Sequence, residues 1–536
     1  MLPEWKKYEQ AKEYCGRLEP NYFDTVNLNL EFFKGNQWKN LKSNGMPTPV
    51  FNILKRGLQF FVASLMSNRV KINFSPLEFR DDGDPMLDVA EIATSEVDNL
   101  FDKFKMDNRI RDALFDAGVM GDVAAHIYFN PNAKPYNGTL SDAEGEIEFE
   151  LIDGTNVYLG NVNNPIVSTK IQPYIIISGR EFVENLKEEA KEHKEMANIQ
   201  ADTEYDDMAG AGNIEIDAEE NGKAKYIIFY RYDKETKTIK ISKLTEKAYI
   251  YKDVDTGLTM YPVAWLCWEK IKNQYHGNAV CTSMIPNQIF INRMFAMVMY
   301  NLMMTAFPKA VYDADRIASW SNEIGQAIGV TGLMPGDSIK HIAGYLEPGN
   351  MSSQIMNALE LTIQYTKECL GVNEAMMGDI NPENASGKSI VATVKQSVVP
   401  LENVKANLYE WIEDIGKILL DMMGNYYGER PLVMKDENGI PSVVTFDFSV
   451  LKNTYLYTKC DVGNSSYWSE VASAETLDGL LQQGAIDIVE YLECMPNDFI
   501  ANKFTLLQMV KERLKTQAGV NSEIPSDIPQ VPENLV

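Results

Sequence analysis

The sequence predicts an α+β fold assembled from several units, and three observations carry that prediction. Apolar residues recur at three- to four-residue spacing over roughly the first 70 positions and again, in longer runs, between about 282 and 428. Short β-branched and aromatic runs punctuated by Asn and Gly lie between and after them. The chain's 536 residues are also too many for a single compact core, so two to four structural units are expected.

Taken in order, "NYFDTVNLNLEFFKGNQW" places Phe23, Val26, Leu30 and Phe33 on one helical stripe that Gly35 should stop. A Pro-rich turn, "GMPTPVFN", precedes a second helical run, "ILKRGLQFFVASLMSNR". A further helical stretch is expected from about 86 to 117, ended by Gly118 and Gly121. Strands are expected in "DVAAHIYFNP", "EIEFELI", "NVYLG" and "PYIII", then in "KYIIFYRY", "TIKISKL" and "KAYIYKD". Between the two sets, residues 184–222 carry thirteen acidic side chains against three lysines and read as a solvated helix leading into a mobile acidic insertion.

Two long helices follow. The first, "SMIPNQIFINRMFAMVMYNLMMTAF", has Pro286 where a first turn would tolerate it and Met297 and Met304 in a methionine-rich face. Its most apolar stretch, Met294–Phe307, is shorter than the roughly 20 residues a bilayer requires, so a buried or interface helix is expected and no membrane. The second, "SSQIMNALELTIQYTKECLG", repeats Ile355, Leu359 and Ile363 every four residues as a packing stripe. After a loop rich in Gly, Asn and Pro, a third helix carries Val404, Leu408, Trp411, Ile415 and Leu419 on one face, with Pro400 expected to kink it. Strands return in 431–463, helix in 465–516, and the last 20 or so residues are Pro-rich and polar, as disordered tails are.

Charge and motifs narrow the function. The net charge of −26 argues against a broad basic grip on nucleic acid, though not against a wall that lets nucleic acid slide past. Six scattered cysteines (15, 267, 281, 369, 460 and 494) offer no zinc spacing and no disulfide framework, which suits a reducing compartment. The opening "MLPEWKKYEQ" has no apolar signal region.

"NASGKSIVA" ends like a phosphate-binding P-loop, but the first glycine of that motif would have to stand at position 382, where Pro382 removes a donor and forbids positive φ. No apolar strand precedes it, so the tripeptide reads as a polar loop, capped by Asn384 or Ser386, at the start of a helix near Lys388. The four histidines form no metal pair, no nucleophile elbow appears, and His276 is expected to be structural. No enzyme activity and no cofactor are expected.

Five segments in order resemble the portal proteins of tailed bacteriophages over about residues 20–515: "FFKGNQW" with "PTPVFNILKRGLQFFVASLMSN"; "DALFDAGVMGDVAAHIYF" with "FELIDGTNVYLGN"; "YHGNAVCTSMIPNQIFINRMFAMVMYN"; "TKECLGVNEAMMGDINPENASGKS"; and "SVVPLENVKANLYEWIEDIGKILL". The resemblance implies a dodecameric ring, the head-to-tail connector, at one capsid vertex. Double-stranded DNA passes through its axis, and the major capsid protein, terminase large subunit and tail adaptor are its partners. It implies N-terminal helices and a wing over 1–281, stem helices over 282–306 and 351–375, and a clip over 307–350. A tunnel loop over 376–388, a kinked helix over 389–428, wing strands over 429–463, a helical crown over 464–516 and a tail over 517–536 complete the plan.

On this plan Asn381, Asn384, Ser386, Lys388 and Lys395 face the DNA channel, and Met297, Met304, Ile355, Leu359 and Ile363 pack the stem. The acidic stretch 184–222 has no counterpart in the pattern as read here. The competing functions are a nucleotide-driven packaging ATPase using Gly387, Lys388 and Ser389, and a virion or scaffold protein without a channel.

Overall fold

The computed structural model describes residues 2–18, 22–39, 42–43, 45–66, 70–76, 85–133, 145–191, 195–202, 222–306, 310–321, 323, 327–336, 338–345, 353–371, 401–435, 441–462, 476–495, 503, 506–507, 509–511 and 513. It divides into a larger unit, residues 1–66 and 72–460, and a smaller one, residues 67–71 and 461–536.

The N-terminal helices are α1 (Pro3–Leu18), α2 (Tyr22–Lys34) and α3 (Ile53–Leu65), the last capped by the Asn52 side chain accepting from the Lys55 N–H. Strand β1 (Val70–Pro76) precedes α4 (Pro85–Phe104) and α5 (Met106–Met120). The single helix expected over 86–117 is therefore two, broken where Lys105 takes a left-handed φ of 52°. Gly118 does not end the second helix. It lies within α5 because α3 crosses there, and a Cβ on Gly118 would meet the Leu58 side chain at 2.4 Å.

Strands β2 (Asp122–Asn130) and β3 (Glu146–Asp153) pair antiparallel, His126 opposite Glu150. Strands β4 (Val157–Leu159) and β5 (Tyr174–Phe182) lead into α6 (Val183–Glu189), and β6 (Lys223–Tyr232), β7 (Ile239–Leu244) and β8 (Tyr249–Asp255) complete an antiparallel sheet in the order β4-β5-β6-β7-β8. With β9 (Val263–Cys267), β2 and β3 form a second sheet, in the order β3-β2-β9.

The acidic stretch is only partly as expected. Leu186 and Ala190, one helical turn apart, bury completely with Ile199 against Ala224, Ala248 and Ile250. Lys243 joins Glu181 and Glu189, and Arg180 joins Asp202 at 2.6 Å. One apolar stripe inside a charged sequence is enough to dock 183–191 and 195–202 on the sheet, so this part is not a solvated helix. Residues 203–221 lie outside the described residues.

Helix α7 (Val280–Ala306) is the longest among the described residues, at 27 residues. It starts before the expected 282, which puts Pro286 in the second turn, where the bond to the Thr282 carbonyl is forgone. By length and composition α7 could cross a membrane, a test that the core helices of folded proteins also pass. Its first half, with Gln288 and Asn292 buried, packs within the larger unit.

Strands β10 (Ala310–Tyr312) and β11 (Ala343–Tyr345) pair antiparallel, with the one-turn helix Ile339–Ile342 just before β11. Trp320 stacks on Tyr312 and meets Tyr345 edge-on. Helix α8 (Ser353–Leu370) then runs back along α7. Helix α9 (Glu402–Tyr426) is the spine of the larger unit, with Val404, Leu408, Trp411, Ile415 and Leu419 all buried, as the stripe predicts. Strands β12 (Glu429–Lys435) and β13 (Pro441–Asp447) form a hairpin, and β14 (Leu456–Val462) pairs with β1. In the smaller unit, α10 (Ile488–Cys494) opens on a capping box between Asp487 and Glu490.

Candidate functional site: a helical hairpin rooted in two buried polar knots

The α7–α8 hairpin is held at its base by side chains from segments far apart in sequence. The first knot is made of amides. Gln288 and Asn292, one turn apart on a largely apolar helix, point to the same side. The Asn292 amide donates to Gln37 Oε1 at 2.6 Å, and the Gln288 amide donates to the Phe51 carbonyl at 2.6 Å. The Ile53 N–H donates to Gln288 Oε1 at 3.1 Å, and Asn52 donates to the carbonyls of Phe32 and Phe33. Asn29, also buried, donates to the Val119 carbonyl at 2.9 Å and to Thr282 Oγ1 at 2.8 Å. A buried amide is costly unless bonded, so these pairings fix both the depth and the rotation of α7.

The second knot surrounds Asp122, whose side chain is wholly inaccessible. Its Oδ2 lies 2.9 Å from His276 Nδ1 and accepts the Gly277 N–H at 2.9 Å. The His276 ring lies against Tyr22 and Tyr275, each with centroids 4.0 Å away. Two backbones meet here: Gly121, at φ 108°, approaches Gly277 so closely that a Cβ would stand 2.3 Å from the Gly277 carbonyl oxygen. A Cβ on Gly154 would stand 1.5 Å from Asp122 Oδ1. The sequences "GD" at the end of α5, "DGTN" after β3 and "YHGN" before α7 are thus three sides of one joint.

A carboxylate orienting an imidazole resembles part of a catalytic arrangement, and Cys267 is nearby, its thiol donating to the Tyr275 carbonyl at 3.5 Å. Burial, assisted by the Asp122 carboxylate, raises the Cys267 thiol far above the ordinary range, so it is not a poised thiolate. His276 is 4 % exposed and sandwiched by rings, which leaves no approach for a substrate. The other buried imidazole, His126, is pushed down to about 4 by burial and lies 2.8 Å from the Tyr230 hydroxyl. Among the described residues no group of three His, Cys, Asp or Glu is placed to hold a metal.

The structure brings together only some of the residues singled out from sequence. Leu359 is 2 % exposed and Ile363 half-buried against α7, whereas Ile355 is exposed and Met297 and Met304 are each 48 % exposed in the single chain. Asn381, Asn384, Ser386, Lys388, Lys395 and Pro400 lie outside the described residues, as does the whole of 376–388. Sequence reading passed over Asp122, Gln37, Gln288 and Asn292. The signal for the last two was present, as two amides four apart on a largely apolar helix.

The class of protein so defined is an α+β fold with a long helical hairpin rooted in its body by buried polar knots. A sequence model of the family described as phage P22-like portal protein matches residues 181–463, more than half of the chain. The chain belongs to that family, whose members are structural proteins of the bacteriophage capsid. The matched span runs across the acidic stretch 184–222. No curated protein matches the chain.

Proposed function

We propose that this chain forms a ring, a dodecamer, whose axial channel passes double-stranded DNA during packaging, retention and ejection at one capsid vertex. The observation that carries the reading is the family match, which spans the entire α7–α8 hairpin. In this reading 282–306 and 351–375 are the stem, 307–350 is the clip toward the terminase large subunit and the tail adaptor, and 376–388 is the loop facing DNA. The mixed α+β parts form the wing against the major capsid protein, and 464–516 is the crown.

The surface of the single chain supports self-association. Met297, Tyr300, Leu302, Met303 and Met304 on the far half of α7 are exposed, and so are Ile355 and Met356 on α8. Apolar side chains gathered on one hairpin mark a surface that another protein covers. In a ring that protein is the next copy. The net charge of −26 suits a channel that repels and centres DNA in transit.

Electron microscopy of the purified protein, viewed along its symmetry axis, tests this. Rings with a central pore are expected, and a chain that stays monomeric at every concentration and salt overturns the reading.

A further inference from the structure

The chain's negative charge is not spread evenly. Between Glu31 and Glu78 stand seven lysines and arginines and no acidic residue, in a chain that carries 76 acidic residues. The fold gathers several of these cations. Asn52 joins the two helices of this segment, capping α3 by accepting the Lys55 N–H and donating to the Phe32 and Phe33 carbonyls at the end of α2. Lys34, the last residue of α2, therefore meets Lys55 and Arg56, in the first turn of α3, at one corner. Lys55 Nζ lies 5.5 Å from the centroid of the Phe33 ring, the neighbour of Lys34. Lys39 folds back onto α2, and Lys367 of α8 lines a recess together with Arg56.

The stability of the fold does not account for this arrangement. Cations in a first helical turn face the positive end of the helix dipole, and α3 has no acidic residue there to offset Lys55 and Arg56. Lys34, Lys55 and Arg56 are exposed and make no ion pair among the described residues. Glu31 is already paired with Lys39 at 2.7 Å, and Glu360, on the recess side of α8, leaves the cations in excess.

We infer that this corner binds the phosphate backbone of double-stranded DNA. Like charges gathered without partners repel one another until a polyanion joins them. Duplex DNA carries one charge per roughly 1.7 Å of its axis, and cations that neutralise its phosphates release counterions. The rest of the chain, at a net charge of −26 overall, repels DNA, which confines the contact to this corner and makes it weak and salt-sensitive. The choice of polyanion rests on the DNA-channel reading above, and the corner adds a place of contact outside 376–388.

Fluorescence anisotropy of a short labelled duplex of random sequence, titrated with the full-length protein, tests it. The parent should bind, with affinity falling about fiftyfold between about 50 and 200 mM salt, as three or so neutralised phosphates require. The variant Lys34→Glu, Lys55→Glu, Arg56→Glu changes exposed positions only, so its circular dichroism and thermal midpoint should match the parent's. It should bind at least about tenfold more weakly at the lower salt, with a shallower salt dependence. A control of equal charge, Lys234→Glu, Lys247→Glu, Lys252→Glu, alters exposed lysines elsewhere and should bind within about threefold of the parent.

A control that loses as much affinity as the corner variant shows that net charge alone is at work, and overturns the inference. So does a parent that binds no duplex at the lower salt. If that parent still forms rings with a central pore, the ring reading stands and this contact alone is removed. A parent that binds no duplex, and whose oligomers lose their salt dependence in the corner variant, assigns the corner to an acidic surface of another copy and likewise overturns the DNA assignment.

Discussion

Asp122 Oδ2 and His276 Nδ1 lie 2.9 Å apart in the interior, and the same oxygen accepts the Gly277 N–H, also at 2.9 Å. One carboxylate therefore ties the start of β2 to the segment that launches α7. Replacing Asp122 with Ala leaves the Gly277 N–H buried without its acceptor and opens a void, and a loss of about 2–4 kcal/mol is expected. Gly154→Ala should cost a similar amount by a different route, since its new Cβ would overlap Asp122 Oδ1 at 1.5 Å. Urea denaturation followed by circular dichroism reads both. An unchanged midpoint for Asp122→Ala would show the joint to be dispensable.

The amide knot predicts non-additive losses. Gln288→Leu removes the partners of the Ile53 N–H and the Phe51 carbonyl together, with an expected cost of about 2–3 kcal/mol. Asn292→Leu strips Gln37 of its donor and should cost a comparable amount. Both residues belong to one network, Gln288 donating to Asn292 Oδ1 at 3.0 Å, so the double variant should lose less than the sum. A double-mutant cycle in urea measures the coupling, and strict additivity would show two independent contacts.

Much of the fold was legible because periodicity follows directly from what each face must bury. The α9 stripe from Val404 to Leu419 and the strands of the five-stranded sheet are at their expected places. Polar burial was not legible. Nothing in "GNQW" or "IPNQIFIN" says that Gln37 will meet Asn292, because the contact depends on a helix crossing that only the assembled fold supplies. The break at Lys105 and the helical Gly118 were misread for the same reason. A local rule ends a helix at glycine, whereas here Leu58 of a crossing helix needs the missing side chain. Of the stripe Ile355, Leu359 and Ile363, the two inner positions are turned into the hairpin and Ile355 is exposed, and Met297 and Met304 of the Met-rich helix are exposed in the single chain.

Asp116 and His126 make stability pH-dependent in opposite directions. Burial, with help from the Asp153 and Asp112 carboxylates, raises the Asp116 carboxyl from 3.8 to about 7. Between those values the folded chain holds a proton that the unfolded chain has released, so this residue's contribution falls as pH rises from about 4 to 7. Asp116→Asn has no charge to bury, and its thermal midpoint should exceed the parent's at pH 8, with the gap closing toward pH 4. For His126 the folded value of about 4 lies below the ordinary 6.5, so its contribution is lost as pH falls through that window. A parent and an Asp116→Asn variant with parallel midpoint–pH curves would count against the first assignment.

Lys388 tests the channel assignment. Lys388→Ala should leave the ring intact in electron micrographs and reduce the amount or retention of DNA per particle in a packaging assay. Loss of the ring itself would contradict the placement of 376–388 as a DNA-facing loop.

The two faces of the hairpin should respond differently to the same chemical insult. Leu359 is 2 % exposed within a single chain, so Leu359→Asp buries an unpaired charge and should cost more than about 3 kcal/mol, seen as a fall in the monomer's own thermal midpoint. Met297 is 48 % exposed, so Met297→Asp should leave that midpoint near the parent's. If the next copy covers Met297, the damage appears instead in assembly, as rings that form only at higher protein concentration. Measuring midpoint and oligomer size on both variants separates the packing of one chain from the packing between chains. Met297→Asp rings as stable as the parent's would place the subunit contact elsewhere on the hairpin.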